Sequence, residues 1–131
     1  MSARNLFLSI CLMATLVSSA SAQTWQSPDS FSGMKFQGSS TPQGAPPWNV
    51  SVDFDTGIAT WSKSDGAKAQ RLLSLRLSSG QLVAMKFQAH SPVGIPDLIC
   101  IGTSTGNAID MQCNSNASAP PEKLVGTISK K

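Results

Sequence analysis

The chain is poor in the residue types that most catalytic and nucleic-acid-binding proteins use. It has no tyrosine, one histidine, three cysteines and a single glutamate among its 131 residues. One histidine (His90) and so few acids leave no cluster of the kind a zinc or other metal site needs, so no metal or cofactor is expected. Charged residues make up only 13%, and the formal charge is +3. That is too little and too scattered for the dense basic face of a nucleic-acid-binding domain. Low charge with 40% apolar residues also excludes an intrinsically disordered chain. Glycine and proline occur without a repeating triplet, which excludes collagen. At this length one small core uses up the chain, so a single domain is expected.

The longest apolar run lies at the N-terminus. Arg4 precedes the run Leu6 to Val17, and Ala20-Ser21-Ala22 follows as a small-residue cleavage site. This is the punctuation of a secretory signal peptide, and a 12-residue run is too short to span a bilayer comfortably. Cleavage after Ala22 is expected, leaving residues 23–131 as a small exported β domain, periplasmic or secreted, with no membrane span. Cleavage also removes Cys11 and leaves Cys100 and Cys113. An even count in a small exported domain predicts one disulfide, the alternative being two buried thiols.

Downstream, short runs alternate apolar and polar residues with period two, the signature of half-buried strands. Trp48 to Phe54 is the clearest, with even positions apolar; Asp55-Thr56-Gly57 then predicts a turn returning through Ile58 to Lys63. Leu73, Leu75 and Leu77 alternate with polar residues before Ser78-Ser79-Gly80. Read as a three-residue loop, this turn places the leucines on one face with Val83, Met85 and Phe87. A helix over Ala67 to Leu77 is the alternative there, because Ala69, Leu72, Leu73 and Leu77 also fit helical spacing. Leu98 to Thr105 and Ala108 to Cys113 flank Gly106-Asn107, a two-residue hairpin loop. Counting outward from that loop sets Cys100 opposite Cys113 at a non-hydrogen-bonded position, where alpha carbons come closest. The bridge should stabilise the fold by about 3 kcal/mol in the chain-entropy view. The cysteines share their face with Leu98, Ile109 and Met111, which is expected to point inward.

Phe31 to Gln37 and Lys123 to Ser129 are weaker strand candidates. Gln37 to Pro47, Ser91 to Pro96 and Asn114 to Pro121 read as loops from their Pro, Gly, Ser and Asn content. About eight short strands, mostly paired with sequence neighbours, predict an all-β antiparallel meander, closed as a barrel or folded as a sandwich.

Candidate functional residues are few. Phe54-Asp55-Thr56-Gly57 resembles the active-site turn of the aspartic proteases, in which two such aspartates share a proton to activate water. With one motif per chain, the resemblance implies a homodimer using Asp55. The same residues are also ordinary turn chemistry. Trp61 to Ala67 is similar to a stretch of the periplasmic inhibitors of c-type lysozyme, small exported barrels that insert polar side chains into the enzyme's cleft. That likeness implies contact roles for Ser62 and Lys63. Among Trp25, Trp48 and Trp61, the parity of Trp61 is opposite to that of Ile58, which makes it the candidate exposed aromatic for ligand stacking. His90 closes a strand, with no Gly-x-Ser-x-Gly elbow anywhere to pair with it. Arg71, Arg76, Lys86 and Lys130-Lys131 are candidate contacts for an anionic surface, or the charges that keep strand edges from aggregating. Asn49-Val50-Ser51 and Asn116-Ala117-Ser118 fit the glycosylation pattern, should the chain be eukaryotic. The combined expectation is a binding or inhibitor-like module for a protein or small apolar ligand. Aspartic protease chemistry through Asp55 is the enzymatic alternative.

Overall fold

The computed structural model describes residues 24–115 and 120–131. The expected leader and the second glycosylation pattern lie outside the described residues. The described strands are β1 (Met34–Pro42), β2 (Trp48–Asp53), β3 (Ile58–Ser62), β4 (Lys68–Ser78), β5 (Gln81–Ser91), β6 (Leu98–Thr105), β7 (Ala108–Ser115) and β8 (Glu122–Lys130). Each pairs antiparallel with its sequence neighbour, and β8 returns to β1, closing a barrel. Closure leaves no long edge exposed, and at eight strands the interior is just wide enough for side chains to fill it. Phe36, Val50, Leu75, Met85, Phe87, Leu98, Met111 and Leu124 form that filling, each at 0–1% exposure.

The β6–β7 hairpin follows the sequence pattern. Thr105 faces Ala108 across Gly106-Asn107, and Cys100 faces Cys113. The two cysteines are bonded, with alpha carbons 3.9 Å apart. Leu98, Ile109 and Met111 are buried beside them. Residues 68–78 are strand rather than helix. Ala69, Arg71, Leu73 and Leu75 point inward with period two, and both edges of the segment find partners.

Four local expectations are corrected. First, the β4–β5 loop has two residues, not three: Ser78 pairs with Gln81. Ser79 and Gly80 have φ of 52° and 78°, as a type I′ turn requires. Leu77 faces Leu82 and Arg76 faces Ala84, so Val83 is an extra residue in β5. That bulge sets Leu75 opposite Met85 and Leu73 opposite Phe87, two residues further along β5 than a three-residue loop implies, with the leucines still on the same face. Val83 is therefore only half-buried, while Leu82 takes the inward place. Second, Gln37 to Pro42 is strand. Its weak propensity is outweighed by ladder partners on both sides, β2 and β8. Likewise Asn114 and Ser115 extend β7. Third, Phe31 belongs to a short 3-10 helix, Pro28–Phe31, and β1 starts at Met34. Fourth, β2 and β3 are joined by a four-residue loop, with Asp53 facing Ile58 and Phe54 folded into the core. Gly57 closes this loop at φ 73°.

These connections give the two barrel ends different characters. At the β2–β3 end the 3-10 helix folds over the opening, and Phe31 packs on Phe54 with ring centroids 5.2 Å apart. Upstream of it, Gln26 exchanges two 2.8 Å backbone hydrogen bonds with Leu75, where β3 has run out alongside β4. The opposite end is ringed by the β1–β2, β3–β4 and β5–β6 connections with Ser115 and Pro120, and no helix crosses it among the described residues.

Candidate functional site: the open barrel mouth

Inside the open end lies a cavity of about 290 Å³. Trp61 and Ala69 line its apolar side, with Trp48, Ile95 and Pro96 at the rim. Arg71 and Glu122 bring charge into it. Every strand residue named here lies on an inward-facing position of its strand. The cavity is the unfilled top of the barrel interior. Other depressions, of about 590, 400 and 230 Å³, lie against the β1–β2 loop, around Asp53, Thr56 and Lys131, and between Phe31 and the β4–β5 and β6–β7 turns.

Trp61 is not the exposed aromatic that its parity with Ile58 suggests. Val50 and Val52 fix the inward face of β2, and their partners across the ladder are Trp61 and Ala59. Ile58 is the residue that points outward. Trp61 is 2% exposed and meets Phe87 edge to face, ring centroids 4.9 Å apart. Its Nε1–H is buried with no acceptor among the described residues. A buried donor left unpaired typically costs about 1–3 kcal/mol.

Arg71 is the unexpected member. It shares inward parity with Ala69 and Leu73 and is only 6% exposed. Its guanidinium lies over the Trp61 ring, Cζ 4.6 Å from the centroid, and Nε donates to the Pro96 carbonyl at 3.0 Å. Burial lowers its pKa from the ordinary value, opposed by the charges of Glu122 and Asp97. It sits beside a second bulge, because Gln70 faces Ser91 and Arg71 faces Ala89, leaving His90 extra. Asp97 caps this bulge by accepting the Ala89 N–H at 2.7 Å. Glu122, on the inward parity of Leu124, accepts from the buried Ser40 hydroxyl at 3.3 Å.

Of the sequence candidates, the mouth collects Trp61, and Lys63 reaches its rim, Nζ 4.4 Å from the Trp48 ring centroid. Ser62 faces the outer wall between Asn49 and Lys68. His90 is exposed on its bulge. Arg76 lies over the Trp25 ring on the outside, 4.3 Å from the centroid. Asp55 is at the other end of the barrel. Its carboxylate accepts from Lys131 Nζ at 2.7 Å, Ser32 Oγ at 2.8 Å and Gly33 N at 2.9 Å. Lys131 above all, then Gly33 and Ser32, lower its pKa to about 2. Among the described residues no group of three or more His, Cys, Asp or Glu is placed to hold a metal. Glu122 escaped the sequence reading, and Arg71 entered it only as a candidate contact for an anionic surface, although its parity with Leu73 and Leu75 pointed inward.

No protein family, curated protein or solved structure matches this chain.

Proposed function

We propose that the protein is an exported, non-catalytic binding module that takes a small ligand into its open barrel mouth. The observation that carries this reading is the tryptophan-floored cavity of about 290 Å³ with an inward-facing guanidinium. Mostly apolar concavities with a few fixed polar groups are the usual form of small-molecule sites. The small concave volume favours a small ligand over a protein partner. Asp55 and His90, the two side chains with catalytic precedent, belong to opposite ends of the barrel. Asp55 is already engaged by three donors. Export is supported by the Cys100–Cys113 bridge, since disulfides persist in oxidising compartments, and by the signal-like N-terminus.

Ligand-observed NMR with a library of small aromatic fragments tests the reading. Hits are expected to compete with one another and to disappear in Ala69→Phe, which fills the mouth from a position lining it. Hits that survive the filled mouth, or none from the whole library, would overturn it.

A further inference from the structure

Resting on that reading, the lining of the mouth narrows the ligand class. Its two charged groups have opposite hydrogen-bonding character. The Arg71 guanidinium only donates, and a Glu122 carboxylate only accepts. In so small a cavity both lie within reach of one compact molecule. Glu122 and Asp97 offset the Arg71 charge only in part, since burial still lowers its pKa. A ligand carboxylate would gain Arg71 but face Glu122, and a ligand cation would meet the reverse conflict. An apolar ring with no polar edge would leave both groups without new partners. The walls favour a flat body. The Trp61 ring is backed by Phe87, and the Trp48 ring stands at the rim under Lys63.

We infer that the mouth selects a flat, net-neutral ligand carrying a hydrogen-bond acceptor and donor side by side on one edge, as a primary aromatic amide does. The acceptor meets Arg71, the donor meets Glu122, and the ring lies against Trp48 at the rim, with Trp61 beneath the Arg71 guanidinium.

Four near-isosteric probes separate the possibilities: benzamide (acceptor and donor), benzoate (acceptor only), benzamidine (donor only) and toluene (neither). Each is titrated into the full exported chain while the tryptophan indole N–H signals are followed by ¹H–¹⁵N NMR, assigned with Trp61→Phe and Trp48→Phe. Benzamide is expected to move the Trp61 signal and to bind about tenfold more tightly than each of the others, the scale of one unmade buried hydrogen bond. Glu122→Gln, which removes the opposing charge, is expected to narrow the gap between benzoate and benzamide. If benzoate or benzamidine binds most tightly, or toluene equals benzamide, the mouth binds ligands but the donor–acceptor inference is wrong. If none of the four perturbs either indole, the mouth-binding reading falls with it.

Discussion

The residue whose role differs most from its sequence context is Asp55. Its Asp-Thr-Gly setting resembles a catalytic turn, yet its carboxylate ties the entry of β1 to the exit of β8. Ser32 and Gly33 lie just before β1, and Lys131 lies just after β8. Lys131 Nζ also contacts Asp53 at 3.0 Å. None of this is visible locally, because the tie exists only once β8 has paired with β1. Lys131 and the hydrogen-bonding partners lower the pKa of both aspartates, that of Asp55 to about 2. A folded-state pKa below the ordinary 3.8 means stabilisation that is present above about pH 4 and lost as pH falls through about 2. The pKa of Lys131 is raised from 10.5, so its share is present below that pH and lost as pH rises beyond it. Asp55→Asn should therefore melt at a lower temperature than the natural protein near neutral pH. The two melting temperatures should converge as pH falls toward 2. Melting curves across that range check this, and a constant offset would show that Asp55 contributes nothing through its charge.

At the scale of elements, two hairpins show what period-two alternation reveals and what it hides. In β6–β7 the glycine-led loop and the cysteine spacing give the same register, and the strands pair as expected. In β4–β5 the alternation correctly groups Leu73, Leu75, Met85 and Phe87, but it cannot reveal a bulge. The extra residue, Val83, compensates a turn one residue shorter than expected, and serine is a weak marker for a left-handed turn position. Both turn residues carry positive φ. Gly80→Ala should thus cost roughly 1–2 kcal/mol, the penalty of a Cβ in that region. Ser79→Asn should stabilise by about 0.5 kcal/mol, since Asn-Gly suits a type I′ turn best. Urea midpoints at unchanged slope measure both. A neutral Gly80→Ala would mean the loop relaxes to another turn type. The mouth was legible only in part for a related reason: Trp61 was marked, but its facing depended on its pairing with Val50, and Arg71 looked like an ordinary surface cation.

At the scale of the molecule, the sequence left barrel and sandwich open because the deciding contact joins residues far apart, β1 and β8. That seam contains a glycine pair, Gly38 opposite Gly126. A Cβ on Gly126 would run first into the Gln37 backbone carbonyl, and would stand 2.6 Å from Phe36 Cζ and 2.7 Å from Gly38 Cα. A Cβ on Gly38 would run first into the Val125 backbone carbonyl, and would stand 2.8 Å from both Phe36 Cζ and Gly126 Cα. The fully buried Phe36 ring thus lies over both glycines and fills the space their missing side chains leave. Alternation alone cannot express this, since glycine counts as neither apolar nor polar in the pattern. Gly126→Ala should destabilise by about 2 kcal/mol through overpacking at the one joint that makes the sheet continuous. Phe36→Leu alone should also destabilise, because it empties part of the core. Combined, the smaller side chain relieves the ring contact but not the backbone ones, so the double variant should be somewhat more stable than the sum of the single losses predicts. A double-mutant cycle by urea denaturation reads the coupling directly. If the two losses simply add, the ring is not what the glycines accommodate, and the close approach of the two backbones alone requires them.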